Sequence, residues 1–174
     1  MKRLPADVRK KAAKIHLLLL DVDGVLTDGR IIIDDRGIET KHFYVRDGQG
    51  IALLLQAGID VGFLSARKSV SVRRRAKELR VHLVREGVRD KLEAYSEIKR
   101  SAGLKDDQIA YVGDDIIDLP ILKQAGLAVS VRDGWAGLKH AVDYVTSANG
   151  GRGAVREVAE MLLKTQGKLR TSHK

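Results

Sequence analysis

Apolar runs of four to six residues recur along the chain, and longer segments with helical spacing of apolar positions lie between most of them. The strand-like runs are residues 15–20, 60–64, 81–84, 108–112, 127–131 and 142–145. The helical segments are residues 50–56, 70–79, 89–101, 117–124 and 154–165. Strands that alternate with helices in this way predict an α/β fold with a doubly wound, mostly parallel sheet and right-handed crossovers.

Residues 29–45 interrupt this alternation. Two β-rich runs, 31–33 and 38–44, flank the sequence Asp-Asp-Arg-Gly, and a glycine-containing turn between such runs is typical of a β-hairpin. The hairpin directly follows the first strand, so we expect it to stand over the carboxyl end of that strand. Its isoleucine-rich run needs an apolar partner, because an exposed hydrophobic hairpin tends to associate. We therefore expect the protein to self-associate there.

The length of the chain fits one folded domain. A chain of 174 residues buries about 70% of the surface that it exposes when unfolded, and it has no room for a second folded cap. We expect a single domain over residues 15–166, which includes the hairpin. Residues 1–14 are predicted to be a basic, partly helical lead-in, and residues 167–174 a flexible basic tail.

Cysteine usage and hydropathy bear on the cellular location. The chain contains no cysteine, so disulfides and thiolate metal sites are excluded and residence in the cytoplasm is permitted. The apolar run at residues 15–20 is interrupted by His16 and is too short to span a bilayer or to act as a secretory core. We expect a soluble, cytoplasmic protein that does not interact with membranes.

Two aspartates, Asp21 and Asp23, follow the first strand and precede Gly24. Taken alone, they are as consistent with an acidic turn as with a functional site. A carboxylate can attack phosphorus if a divalent cation offsets the charge of the phosphate. A second carboxylate two residues further on can protonate the leaving oxygen and later activate water. We interpret Asp21 as a nucleophile and metal ligand, and Asp23 as a general acid/base.

Polar side chains also follow three other predicted strands. Ser65 can hold a phosphoryl oxygen, Lys91 can neutralise charge on the transferring group, and the cluster Asp114, Asp115 and Asp118 can complete a magnesium site. Each has a simpler interpretation as a helix cap or a solvated helix residue. Together they favour a phosphoryl-transfer site, because the carboxyl ends of parallel strands meet at one edge of the sheet.

The order of these residues resembles the four motifs of the haloacid dehalogenase-like phosphatase superfamily over about residues 15–166. The matching residues are Asp21-x-Asp23-Gly24-x-x-Thr27, then Ser65, then Lys91, then Gly113-Asp114-Asp115-x-x-Asp118. Longer strings at residues 21–29, 45–48, 87–92 and 150–157 look like the capless branch that contains 3-deoxy-D-manno-octulosonate 8-phosphate phosphatases. The resemblance implies a Rossmann-like sheet with an inserted hairpin and no cap domain.

The same resemblance implies a substrate and an assembly. It implies a magnesium-dependent phosphomonoesterase that hydrolyses 3-deoxy-D-manno-octulosonate (KDO) 8-phosphate in lipopolysaccharide precursor synthesis. A nine-carbon sialic-acid-type 9-phosphate presents the same pair of anionic groups, and the sequence leaves this alternative open. The resemblance also implies a homotetramer, in which hairpins of neighbouring subunits pack together and complete each other's sites.

Roles for individual residues follow from the resemblance as well. Mg²⁺ would be held by Asp21, Asp114 and the backbone carbonyl of Asp23, with Thr27, Asp115, Asp118 and Arg152 in supporting positions. The substrate would be contacted by Asp23, Tyr44, Val45, Arg46, Asp47, Gly48, Arg67, Arg75 and Lys91. The glycine-rich segment 150–153 has two interpretations, a tight turn before the last helix or a mobile tail that folds over a pocket.

Two other classes of function compete with an enzyme. The formal net charge of +9 and the run Arg73 to Arg75 suit a nucleic-acid-binding module, but only 4% of the residues are aromatic, which argues against base stacking. A phospho-acceptor switch could use Asp21 without rapid turnover, but Asp23 would hasten loss of the phosphate. We therefore expect a phosphorylated sugar acid, and not a nucleic acid, as the ligand.

Overall fold

A computed structural model describes residues 4–169 of the chain, so residues 1–3 and 170–174 of the predicted lead-in and tail lie outside the described residues. The strands are β1 (Leu17–Leu20), β2 (Ile32–Ile33), β3 (Glu39–Thr40), β4 (Asp60–Ser65), β5 (Leu83–Glu86), β6 (Ile109–Gly113), β7 (Leu127–Ser130) and β8 (Tyr144–Val145). The α-helices are α1 (Ala6–Ala12), α2 (Val45–Gln56), α3 (Val70–Leu79), α4 (Lys91–Ala102), α5 (Leu119–Leu122) and α6 (Ala154–Thr165). Short 3₁₀ turns lie at Asp106–Gln108, Ile116–Asp118 and Ala136–His140.

Six of the strands form one parallel sheet in the order β5-β4-β1-β6-β7-β8. β1 is central, and Leu20 pairs with Phe63 of β4 on one side and with Val112 of β6 on the other. After β1 the chain first builds one side of the sheet, with β4 and β5, and then the other side, with β6, β7 and β8. The carboxyl end of β1 is therefore a topological switch point, where open α/β sheets bind ligands. The predicted fold class is confirmed.

The core lies on both faces of the sheet, which explains why β1 is apolar throughout. Leu18 and Leu20 belong to a buried cluster with residues of α1, α2, α3 and α6, whereas Leu17 and Leu19 pack with α4 and α5 on the other face. A strand that is covered on both sides has no polar face to show. This burial holds the end of β1, and whatever follows it, in a rigid position.

Three elements differ in extent from the expectation. α1, in the predicted basic lead-in, buries Val8 and Ala12 in the core. α2 contains the predicted helical residues 50–56 and extends them back to residue 45. The helix predicted at residues 117–124 is a 3₁₀ turn followed by the four-residue α5, because the carboxylate of Asp118 accepts hydrogen bonds from the amides just before the turn. Within residues 4–169, every helix falls short of the length or apolar character that crossing a membrane requires.

The predicted hairpin is present as β2 and β3, which pair antiparallel with Ile32 opposite Thr40. Gly37 supplies the left-handed conformation of the turn, with φ of 76°. The side chain of Asp34 stabilises the turn by accepting hydrogen bonds from the amides of Arg36 (3.0 Å) and Ile38 (2.8 Å). The isoleucines at positions 31, 33 and 38 are each more than half exposed in the single chain.

Candidate active site

A buried ion triad lies at the carboxyl end of β1. Asp21 begins the β1 loop (residues 21–27), and the Nζ atom of Lys91 lies 2.8 Å from Asp21 Oδ1 and 2.7 Å from Asp118 Oδ1. Lys91 is the first residue of α4, and Asp90 caps this helix by accepting hydrogen bonds from two of its amides. Burial disfavours the ammonium group, but the two carboxylates outweigh it and raise the pKa of Lys91.

Asp118 is the residue that orients this triad. It is fully buried, and its Oδ1 accepts hydrogen bonds from Lys91 and from the Tyr111 hydroxyl at 2.6 Å. Its Oδ2 accepts hydrogen bonds from the amides of Asp114 (3.0 Å) and Asp115 (3.3 Å). Asp118 therefore connects the lysine to the loop after β6 and leaves that loop little freedom. Tyr111 was not predicted as a site residue.

Asp114 contacts the β1 loop closely, and a glycine makes this contact possible. Gly24 has φ of 93°, and a Cβ atom at this position would lie 2.0 Å from Oδ2 of Asp114. Thr27 holds the same loop, because its hydroxyl lies 3.4 Å from the Val22 carbonyl and 3.3 Å from the Gly29 amide. The predicted supporting position of Thr27 is thus a turn-stabilising one.

Three carboxylates at this edge suit a divalent cation. Asp21, Asp114 and Asp118 each offer an oxygen, and these oxygens lie within 4.8 Å of one another. Burial raises the pKa of Asp21 to about 6, against the influence of Lys91, and burial and neighbouring carboxylates raise that of Asp114 to about 8. A divalent cation would offset the free-energy cost of holding these two carboxylates in their charged form. Since both oxygens of Asp118 already accept hydrogen bonds, Asp21 and Asp114 are the carboxylates that fit a metal best. The contribution of the Asp23 backbone carbonyl stays a prediction.

Ser65 ends β4, the neighbour of β1. Because Leu20 pairs with Phe63, the side chain of Ser65 reaches the sheet edge beside the β1 loop. It is buried, and its hydroxyl accepts a hydrogen bond from the amide of Arg67 at 3.1 Å. Its carbonyl accepts the amide of Val88 at 3.2 Å, which ties β4 to the loop that precedes α4. All four predicted strand ends thus meet at one edge.

Asp23 belongs to a second charged cluster, which includes two residues that the sequence did not single out. Lys41 donates a hydrogen bond to Asp23 and lies 3.2 Å from Glu39 Oε1. Arg67 hydrogen-bonds to Glu39 and lies 3.9 Å from Asp23. Residues two apart in a strand share a face, but β3 ends at Thr40 and Lys41 lies outside it, so their spacing was only a weak signal.

The predicted substrate segment, residues 44–48, forms the start of α2. Tyr44 occupies the N-cap position without a side-chain capping hydrogen bond, and Val45 and Arg46 are exposed. The carboxylate of Asp47, in contrast, is buried and accepts hydrogen bonds from backbone amides at the start of α6, with the nearest N–O distance 2.7 Å. The structure thus gives this carboxylate a role in joining α2 to α6, which differs from the predicted contact with substrate.

The other predicted residues have partners of their own. Arg75 lies over the ring of Phe43, 5.9 Å from its centroid, and pairs with Glu78 at 2.8 Å. It also packs on Gly48, where a Cβ atom would lie 2.1 Å from the guanidinium. Asp115 caps the 3₁₀ turn after β6. These contacts place Arg75 beside the start of α2.

The glycine-rich segment before α6 packs directly on the β1 loop. A Cβ atom on Gly150 would lie 1.7 Å from the carbonyl oxygen of Gly24, and the Gly151 amide donates to the carbonyl of Val25 at 2.9 Å. The segment is a tight turn, the first of its two interpretations, and its contact with the β1 loop was not expected. Arg152 is mostly exposed and lies 3.8 Å from Asp28.

Comparisons with known proteins agree with this geometry. Residues 81–158 match the family of haloacid dehalogenase-like hydrolases. The 3-deoxy-D-manno-octulosonate 8-phosphate phosphatases of Escherichia coli (strain K12) and Yersinia pestis are 46% and 44% identical to this chain, over 94% of it and 87% of each relative.

Solved structures show the same likeness. The crystal structure of the Yersinia pestis phosphatase has a TM-score of 0.93 and 44% identity, over 94% of this chain and 89% of that one. The Moraxella catarrhalis phosphatase, solved in complex with a magnesium ion, a phosphate ion and a KDO molecule, has a TM-score of 0.91 and 43% identity, over 92% of each chain.

Proposed function

Because the chain belongs to the haloacid dehalogenase-like hydrolases, in the family of the 3-deoxy-D-manno-octulosonate 8-phosphate phosphatases, we propose that it hydrolyses KDO 8-phosphate to KDO and phosphate with Mg²⁺. The observation that carries this proposal is the cluster of buried Asp21, Lys91 and Asp118 with half-buried Asp114 at the carboxyl end of β1. A related structure that binds magnesium, phosphate and KDO supports the choice of ligands.

In the first half of the reaction, an oxygen of Asp21 attacks phosphorus in line and the bond to the sugar oxygen breaks. Asp23 gives its proton to that oxygen, so that KDO leaves as a neutral alcohol at this position. Lys91 and Ser65 hold the phosphoryl oxygens. The product is an aspartyl-phosphate on Asp21, and Asp23 is left as a carboxylate.

In the second half, water attacks the aspartyl-phosphate and the bond between phosphorus and the Asp21 oxygen breaks. Asp23 takes a proton from this water, which restores the starting protonation state of both aspartates. Mg²⁺, when bound by Asp21, Asp114 and the backbone carbonyl of Asp23, offsets negative charge on the phosphoryl group. Lys91 supplies a further fixed positive charge from its buried position.

The substrate carries a carboxylate and a phosphate, and the rim of the site offers cations for the first of these. Arg67 is about half exposed and lies beside Asp23, so its guanidinium suits the sugar acid. The amides at the start of α2 and the exposed side chain of Arg46 add to this surface. Arg75, beside the start of α2, and the mostly exposed Arg152 are proposed as further cations for the substrate, whereas Asp47 acts through α6.

We also propose the assembly and setting that the resemblance implies. The exposed isoleucines of the hairpin support a homotetramer in which neighbouring hairpins cover one another. Residues 15–166 would form the single catalytic domain, preceded by the basic lead-in and followed by the basic tail. The enzyme would work in the cytoplasm on a soluble precursor of lipopolysaccharide, without a nucleic-acid or membrane partner.

Phosphate release from a panel of phosphorylated sugar acids, sugars and nucleotides tests the proposed function. We expect a strong preference for KDO 8-phosphate, with activity lost on addition of EDTA and in Asp21→Asn. Asp60→Asn is the matched control, because Asp60 is exposed at the opposite end of β4. It should retain full activity.

The panel also separates the alternatives. Preference for the nine-carbon sialic-acid-type 9-phosphate would retain the reaction and replace the substrate. Similar turnover of every substrate in the panel would support a phosphatase but not a role in lipopolysaccharide precursor synthesis. Release from no member, together with a stable phosphorylated protein, would favour a phospho-acceptor switch.

A further inference from the structure

Lys41 is a buried cation that the proposed reaction does not yet use. Its side chain is 1% exposed, although it belongs to the segment that joins an exposed hairpin to α2. A lysine is rarely buried unless its charge is paired. Both groups that pair with it, Asp23 and Glu39, are carboxylates of the second charged cluster.

The contact with Asp23 distinguishes the two oxygens of this carboxylate. Lys41 Nζ donates to Oδ1, whereas Oδ2 lies 3.9 Å from Nε of Arg67. One oxygen is therefore held by the hairpin segment, and the other is left on the side where Arg67 is expected to receive the substrate. Because Asp23 lies in a loop and its side chain is about a quarter exposed, it needs such a contact to keep one orientation.

Glu39 extends the same arrangement to the substrate side. Its Oε1 lies 3.2 Å from Lys41 Nζ, and its Oε2 accepts a hydrogen bond from Arg67. Oε1 is buried and accepts no well-aligned hydrogen bond from the residues that the structure describes, so the nearby ammonium is what offsets its charge. The strong pairing with Arg67 lowers the pKa of Glu39 despite some desolvation.

We propose that Lys41 is a positioning residue for Asp23: it holds Oδ1 so that Oδ2 meets the departing sugar oxygen and, later, the attacking water. This inference rests on the proposed phosphatase function. Glu39 keeps Lys41 and Arg67 at a fixed separation, so the hairpin sets the position of the acid/base relative to the substrate. Precise placement of a catalytic group is worth up to about a hundredfold in rate.

A double-mutant cycle tests the proposal. The kcat and KM of the full-length protein are measured on KDO 8-phosphate at saturating Mg²⁺ for the wild type, Lys41→Met, Asp23→Asn and the double variant, by single turnover where activity is low. We expect Lys41→Met to lower kcat by about ten- to a hundredfold with little change in KM. In the Asp23→Asn background the same substitution should change kcat less than twofold, because its target is already gone.

Two further variants separate positioning from folding. Lys41→Arg keeps a cation at the site and should recover most of the lost kcat, which a defect in packing alone would not predict. Lys10→Met is the matched control, because Lys10 is exposed on α1, and it should behave as wild type. Melting temperature and Mg²⁺ affinity are recorded for every variant. Lys41→Met should melt at a lower temperature, because Glu39 Oε1 loses the cation that offsets its charge, whereas Mg²⁺ affinity should stay near the wild-type value.

Several outcomes would overturn the inference. An equal loss of kcat in both backgrounds would mean that Lys41 acts through another group, and a rise in KM alone would make it a substrate contact. An unchanged kcat in Lys41→Met would remove its role altogether. Each of these results requires an active wild type, so they are distinct from failure of the proposed function, in which the wild type itself releases no phosphate.

Discussion

The active site has two parts that are held in place differently. Its floor is the buried ion triad of Asp21, Lys91 and Asp118, and its mouth is the charged group at the hairpin, Glu39, Lys41 and Arg67. On the floor, Asp118 is fully buried and its oxygens are engaged by Lys91, Tyr111 and two backbone amides. At the mouth, Arg67 is about half exposed, and its partner Glu39 comes from a hairpin with short strands. Lys41, which pairs with Glu39, follows that hairpin directly. The floor is held by the core of the sheet, whereas the mouth depends on a peripheral element.

This difference indicates which part of the site sets the reaction and which part sets the substrate. Rigid, desolvated charges stabilise a phosphoryl group in the same way whatever alcohol it leaves. Exposed cations on loops can be exchanged without disturbing the core. The comparison predicts that changes on the floor lower kcat the most. Changes at the mouth should lower kcat less where they disturb Asp23, and otherwise alter selectivity and assembly.

The largest effect is expected on the floor. Lys91→Met removes the cation between Asp21 and Asp118 and should lower kcat by about a thousandfold, since one such donor contributes on the order of 10²–10³. Phosphate release at saturating substrate measures this. The control is Lys123→Met, an exposed lysine after α5. A loss below tenfold would mean that the floor contributes less than its burial implies.

The next effect is expected where floor and mouth meet. Asp23→Asn should lower kcat by about a hundredfold, since it removes general acid/base catalysis. Mg²⁺ affinity, measured by calorimetry, should stay nearly unchanged, because the proposed metal contact of Asp23 is its backbone carbonyl. Activity near the wild-type rate would refute the assignment of Asp23 as acid/base, and a large loss of Mg²⁺ binding would refute the backbone contact.

A smaller effect is expected at the mouth. Ile32→Glu places a charge on the apolar hairpin and should yield smaller assemblies in sedimentation, with activity reduced several-fold and little change in the fold of the single chain. Gln56→Glu adds the same charge at the exposed end of α2 and should keep the assembly intact. A fully active monomer would argue against sites that neighbouring hairpins complete.

The smallest effect concerns pH. Burial raises the pKa of Asp21 to about 6 and of Asp114 to about 8, above the value of 3.8 for an unperturbed aspartate. The folded metal-free protein then binds protons that the unfolded chain releases, so its stability falls as pH rises from about 4 to about 8. Bound Mg²⁺ replaces these protons, and we expect it to raise the melting temperature more at pH 8 than at pH 6.

Melting curves of Asp114→Asn provide the comparison for this pH effect. This variant lacks one of the two titrating carboxylates and should show a flatter dependence on pH without metal. An equally steep dependence would assign the effect to other groups.

The sequence predicted the floor better than the mouth for a physical reason. Asp21, Ser65 and Asp114 each follow a strand that is recognisable from its apolar run, and parallel strands bring their carboxyl ends together. Glu39 belongs to a strand of two residues and Lys41 to a connection of four, and such short segments have too little periodicity to predict orientation. Tyr111 is likewise hidden in an apolar run, where its hydroxyl gives no sign of its partner.

The length and the capping of helices were also harder to predict near the site. Asp118 turns its carboxylate back to the amides before it, so side-chain hydrogen bonding shortens a helix that apolar spacing predicts to be longer. Asp47 looks from the sequence like part of a substrate loop, but its carboxylate caps α6, more than a hundred residues away. Contacts between such distant residues depend on the completed fold.

The packing of Gly150 and Gly151 on the β1 loop has a consequence for how the protein is made. The β1 loop leaves the ribosome early, and its support arrives only after nearly all of the described chain has followed, several seconds later at about 5–20 residues per second. A nascent chain that ends before Gly150 already contains every catalytic carboxylate. It lacks the backbone contacts that hold the β1 loop, and with it Asp21 and Asp23, in place. Synthesis of the glycine-rich segment before α6 therefore determines when the active site is complete.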